Sequence, residues 1–161
     1  MICQKQFTIG IVLFTCMIVS LSACNQQQEA GGVKIDTLFA RGKKITNDNF
    51  TGTAYLHMMV AADTLNPVTI GNVSFDPGAR TKWHLHPAGQ ILLVTDGVGY
   101  YQEKGQAKKI LRKGDVIKCA PNIVHWHGAS ADAAFVQLAV TGNQNGGAVW
   151  LEAVTDEEYL K

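Results

Sequence analysis

Beyond about residue 50 the chain breaks into short apolar or alternating stretches separated by turn residues. "AYLHMMV" (54–60), "VTIGNVSF" (68–75), "QILLVT" (90–95), "DVIKCA" (115–120) and "AAFVQLAV" (133–140) have the length and alternation of strands. Asn66-Pro67, Asp76-Pro77-Gly78, Asp96-Gly97, Lys104-Gly105 and Lys113-Gly114 lie between them and supply the backbone angles that turns need. Many short strands with regular turns predict an all-β sandwich or barrel. One helix is expected, at the very end. Thr155-Asp156-Glu157-Glu158 sets an N-cap threonine three residues before a glutamate, so that each can satisfy a free amide of the first turn. No internal repeat is evident.

The start of the chain has a different pattern. Lys5 precedes an almost unbroken apolar run, Phe7 to Leu21, followed by Ser22-Ala23-Cys24. A basic start, a short apolar segment and small residues before a break predict a cleaved secretory signal over 1–23. The run is shorter than the ~20 residues of a bilayer-spanning helix. Leu21-Ser22-Ala23-Cys24 resembles the lipobox of bacterial lipoproteins, which implies lipidation of Cys24 and a cell-envelope protein held on a membrane by its acyl chains. Polar "NQQQEAGG" (25–32) fits a flexible tether over 24–33, leaving 34–161 as a single domain. The lipidation would leave Cys119 as the lone thiol of the mature chain, so no internal disulfide is expected. Cys119 itself reads as a small buried residue. A net charge of +1 with scattered charges offers no basic stripe, which argues against a nucleic-acid partner.

The chemistry concentrates in the histidines. Five are present, and four fall in two pairs, "HLH" (84–86) and "HWH" (125–127). Residues two apart on a strand share a face, so each pair can present two imidazoles to one side. Two pairs on different strands could converge inside a barrel. Imidazole with oxygen donors suits manganese, iron, cobalt, nickel or zinc better than calcium. An isolated His-x-His is more often a polar face of a half-buried strand. Two pairs, each after a turn and each flanked by tryptophan (Trp83, Trp126), favour the metal.

From Gly78 to Gly97 the chain reads G-x5-H-x-H-x3-Q-x6-G, and from Gly114 to His125 it reads G-x5-A-P-N-x2-H. These resemble the two cupin motifs. Gln90 stands where a Glu is usual, Ala120 for the usual Pro, Asn122 for the usual Gly and Ala129 for the usual Asn. The resemblance covers about residues 50–161. It implies a double-stranded β-helix (jelly-roll) barrel and one divalent metal held by His84, His86, Gln90 and His125. His127 would face the same cavity without being a ligand, as an acid or base.

"FTGT" (50–53), "F-x-PGART-x-WH" (75–84), "HWHGA" (125–129) and "VWLEAVTDEEY" (149–159) are similar to small bacterial cupins that include manganese-dependent hydroxynitrile lyases. That likeness implies manganese first, with iron, zinc, nickel or cobalt as alternatives, and a homodimer. It places Thr81 and Gln137 in the substrate pocket. Gln137 stands where those lyases carry a proton-moving histidine, and a carboxamide is no base. His57 matches no catalytic position. Three readings stay open: a metal-dependent lyase on a small hydroxy or carbonyl substrate, a metal-dependent dioxygenase, and a lipoprotein that binds a metal or small ligand without turnover. A relic of a former site, empty of metal, is a fourth and weaker one.

Overall fold

The computed structural model describes residues 38–161. The signal, the tether and Cys24 lie outside that range. In chain order the strands are β1 (Lys43–Lys44), β2 (Phe50–Thr51), β3 (Ala54–Val60), β4 (Val68–Phe75), β5 (Arg80–Thr81) and β6 (His84–Leu85). They continue as β7 (Gln90–Glu103), β8 (Lys109–Arg112), β9 (Val116–Cys119), β10 (His125–Ala129), β11 (Phe135–Gly142) and β12 (Val149–Trp150), ahead of helix α1 (Asp156–Leu160). All pairings are antiparallel, and the strands form one curled sheet in the order β1-β3-β4-β11-β7-β10-β5-β2. The all-β jelly roll with a short C-terminal helix expected from the sequence is the fold observed.

Strands β3 and β4 occupy the spans their alternation predicts, and β9 is trimmed by one residue at each end. Strand β11 starts and ends two residues later than expected, and the larger departure is β7, where Asp96-Gly97 makes no turn. Residues 90–97 pair with β11, and 98–103 run on to pair with β10 and β8. One strand thus belongs to both halves of the sheet. Its corner is a bulge: Val136 faces Asp96 while Gln137 faces Val94, so Thr95 is the extra residue. Gly97 takes φ +79°, and a Cβ there would overlap the Ala134 carbonyl oxygen. An Asp-Gly pair suits both a hairpin and a bulge. Partners distant in sequence chose the bulge.

The bend folds the two halves face to face over a core of Val73, Phe75, Leu92, Val94, Tyr101, Leu111 and Phe135. Cys119 is buried in the same core, as expected, and burial pushes its thiol up to about 11, against a lowering contribution from the Tyr101 hydrogen bond. A second cluster lies outside the sheet, where Trp83, Trp126 and Val154 pack with Tyr159 of α1. The predicted capping box is present. Glu158 N–H donates to the Thr155 hydroxyl at 3.1 Å, and Thr155 N–H donates to the Glu158 carboxylate at 3.0 Å. Arg80 donates to the Val154 carbonyl at 3.0 Å and pairs with Asp156 at 2.6 Å, and Tyr159 donates to the Ala129 carbonyl at 2.9 Å. The helix therefore seals the outer side of β10, which is buried on both faces.

Candidate metal centre

Strand alternation turns Trp126 outward toward α1 and leaves His125 and His127 facing inward. His125 lies directly across from His84 on β6, and their ring centres are 4.4 Å apart. His86 follows β6 in a turn held by its own carbonyl, which accepts from Gly89 N–H and Asn122 N–H, both at 3.0 Å. Asn122 sits at φ +64°. Asparagine tolerates that left-handed conformation better than most side chains, which explains how it stands at a position where cupins usually have glycine. Gln90 opens β7 opposite Thr141, to whose hydroxyl its amide donates at 3.1 Å.

Each imidazole is set by its partners. His84 Nδ1 lies 2.9 Å from the Lys82 carbonyl, and His125 Nδ1 lies 2.9 Å from the Ile123 carbonyl. A carbonyl oxygen can only accept, so both rings carry their proton on Nδ1 and leave Nε2 as a lone pair. Burial holds all four rings below the ordinary histidine pKa. For His84 the neighbouring His125 adds to the effect and the Lys82 carbonyl partly offsets it. His125 is lowered by burial against an opposing contribution from the Ile123 carbonyl. His86 falls to about 4, through burial and then His125. His127 is pushed well down by burial and by its three neighbours.

One contact defines the chemistry of the site. Gln90 Oε1 lies 3.3 Å from His125 Nε2. His125 has spent its proton on Ile123, so two lone pairs confront each other with none between them. A cation between them would satisfy both lone pairs at once; without one, the opposite amide orientation, nitrogen on His125 Nε2 and oxygen on the Thr141 hydroxyl, relieves the contact. His86 adds to the case, because both its ring nitrogens are buried and unpartnered, and a buried orphan imidazole costs free energy that a bound cation would offset. The donors present thus fit a divalent transition metal.

Proximity alone leaves the ligand set open. The nitrogens of His84, His125 and His127 lie within 4.8 Å of one another. His86 is outside that trio, although its ring centre lies 5.1 Å from that of His84 and 5.8 Å from that of His125, nearer than the 5.3 and 6.0 Å of His127. Thr81 is buried and lines the cavity, where its hydroxyl accepts from the His127 backbone N–H at 3.1 Å. Gln137 is fully buried on β11 and lies against His127, with Nε2 2.8 Å from Nδ1. His57 is exposed on β3, away from these donors.

The four donor-bearing side chains His84, His86, Gln90 and His127 open on a cavity of about 320 Å³ walled by Phe50, Leu56, Met58, Val73, Ala139 and Trp150. That volume suits a small molecule, and mostly apolar walls with a few polar groups are the usual make-up of such a site. A larger groove of about 700 Å³ shares Phe50, Leu56, Met58, Val73 and Trp150 but contains none of the clustered imidazoles. The smaller cavity is therefore the site. Sequence reading missed Trp150, whose ring lies 4.7 Å from that of His84, and Thr141 behind Gln90. Trp150 reaches His84 only through the pairing of β12 with β6, a contact with no local signal.

Residues 71–141 match the family model described as the cupin domain. This segment contains Thr81, all four clustered histidines, Gln90 and Gln137. The chain is 44% identical over 115 residues to an (R)-mandelonitrile lyase from Granulicella tundricola, a match covering 71% of this chain and 88% of the relative. A cupin-like protein from Thermotoga maritima is 47% identical, superposes with a TM-score of 0.74, and is matched over 77% of this chain and 95% of its own. A double-stranded β-helix protein from Klebsiella pneumoniae shares the fold at 21% identity and a TM-score of 0.54, over 72% of this chain and 90% of that one. With both motifs folded around one cluster of buried donors, and with relatives matched along most of their length, the chain belongs to the cupin family.

Proposed function

We propose that this protein is a metal-dependent lyase that cleaves a small hydroxynitrile or hydroxy-carbonyl compound, with manganese the first expectation. The observation that carries this reading is the facing pair of lone pairs at Gln90 Oε1 and His125 Nε2, beside the unpartnered imidazole of His86. The relative named as an (R)-mandelonitrile lyase supports the choice of reaction. His84, His86, Gln90 and His125 would hold the ion. When bound, the ion supplies a Lewis acid for a hydroxyl or carbonyl oxygen.

The rest falls to the chain's own side chains. Leu56, Met58, Val73 and Trp150 exclude water and enclose the substrate's apolar part. His127 meets the polar end and exchanges protons there: cleavage of a cyanohydrin needs one proton for the departing cyanide, which His127 gives, as the proton leaving the substrate hydroxyl takes its place on the ring. Gln90, being neutral, leaves the cation's second charge uncancelled and favours substrates that develop negative oxygen. The protein would work as a lipid-tethered homodimer in the bacterial envelope, with Cys24 as the anchor point.

The test loads purified protein with manganese and follows aldehyde release from mandelonitrile beside an oxygen electrode. Aldehyde release without oxygen uptake is the expected result. Oxygen consumption without cyanohydrin cleavage would favour the dioxygenase instead. Binding of the metal with neither activity would leave a non-catalytic binder. Replacing His127 with Ala should abolish turnover while metal content stays stoichiometric.

A further inference from the structure

The nitrogens of three imidazoles lie close enough to share an ion, and they are not the three that cupin spacing selects. The Gln137–His127 contact resolves this conflict. Gln137 is fully buried, and its register partners on the neighbouring strands are Val73 and Val94, neither of which carries a polar side-chain atom. Its amide nitrogen lies 2.8 Å from His127 Nδ1, and its carbonyl oxygen has no partner. The opposite amide orientation would put the oxygen against Nδ1 and strand the whole NH2 group in an apolar setting. An orphaned buried N–H is rarer than an under-satisfied carbonyl, so the orientation with nitrogen on Nδ1 is favoured.

We infer that Gln137 is a positioning residue that fixes His127 in the Nε2–H tautomer. In a neutral ring Nδ1 then accepts from Gln137, and the one remaining nitrogen carries a proton. A ring in that state has no lone pair left for a metal. His127 is thereby withdrawn from the ligand set despite its proximity, and the third imidazole position passes to His86, whose nitrogens are both free. It also means that His127 meets a guest molecule as a hydrogen-bond donor, suited to a departing anion or a developing oxyanion, and not as a lone-pair base. His84 and His125 carry the opposite tautomer, each held by a backbone carbonyl. Two tautomers within one cluster thus divide ligands from donor.

This inference rests on the reading of the site as a metal centre, but its test does not depend on turnover. Full-length protein labelled with 15N-histidine is studied metal-free and zinc-loaded by long-range 1H–15N correlation, with the His127 signals assigned through a His127→Asn variant. The expected pattern is a protonated Nε2 and bare Nδ1 for His127 in both states, against protonated Nδ1 for His84 and His125. In Gln137→Glu the carboxylate can only accept, so His127 should switch to a protonated Nδ1. Gln137→Leu, which removes the donor at similar volume, should leave a mixture. Cobalt(II) titration supplies an independent readout: His127→Asn should leave affinity within about twofold, while His86→Asn should weaken it by more than the ~10–100-fold typical of losing a mere supporting contact. A protonated Nδ1 on His127 of the unaltered protein, or greater loss of cobalt from His127→Asn than from His86→Asn, would overturn the inference. Failure of the mandelonitrile assay with the expected tautomers intact would overturn only the proposed reaction.

Discussion

Gln90 differs from the glutamate usual at its position by one unit of charge, and that difference sets what the cavity can hold. At about 3.5 Å and an effective dielectric near 20, one charge is worth roughly 5 kcal/mol on a bound anion before desolvation is subtracted. Gln90→Glu should tighten manganese binding and weaken a small carboxylate probe by about tenfold or more, both read by calorimetric titration; unchanged anion affinity would contradict the charge argument. The histidines set a pH limit as well. His86 in the folded chain titrates near 4 because it is buried, against 6.5 for the unfolded chain. Between those values the unfolded state binds more protons, so stability is level above about pH 6.5 and falls as pH drops toward 4. The loss from His86 alone is of the order of 3 kcal/mol, and its buried neighbours add to it. Urea unfolding of the metal-free protein at pH 7.5 and pH 4.5 measures this directly. Equal midpoints would mean that the rings are solvated.

Two glycines with the same backbone angle separate local from tertiary demands at the scale of elements. Gly105, in the turn between β7 and β8, has φ +79° and open space where a Cβ would project. Alanine there should cost only the left-handed strain of about 1–2 kcal/mol. Gly97 has the same φ but faces the Ala134 carbonyl across the bulge. Alanine at this corner adds a backbone collision, so thermal unfolding should show a loss beyond that of Gly105→Ala by about 1–3 kcal/mol. Equal losses would show that the bulge can relax. The same comparison explains what was legible. Strands β3 and β4 followed from their own alternation and flanking turns, and α1 from its capping box, because those signals lie within a few residues. The run of β7 through Asp96-Gly97 depends on β11 and β10, whose paired residues lie more than twenty positions away.

For the molecule as a whole, the bend of β7 creates two faces with different tasks. The inner face holds the apolar core and, at one end, the cavity with its buried imidazoles. The outer side of β10 is closed by α1 through Trp126 and Tyr159. Among the described residues no helix is long and apolar enough to cross a membrane; the proposed attachment is through Cys24. Cys24→Ser should move the protein from the detergent phase to the aqueous phase in detergent partitioning of bacterial extracts. Retention in the detergent phase would argue for an uncleaved apolar segment as the anchor.

The sequence alone determined the β class, the closing helix, the two histidine pairs and the spacing of the donor set, because alternation, caps and motif spacing act over short range. It also identified Gln137 as a departure from the lyases, though not what that departure does. Tertiary structure decided the rest. Only strand pairing places His84 across from His125, turns the Gln90 carbonyl onto a nitrogen without a proton, and sets the Gln137 amide against His127. Which nitrogen carries a proton depends on the atom opposite it, and for Gln90 and Gln137 those atoms lie on other strands.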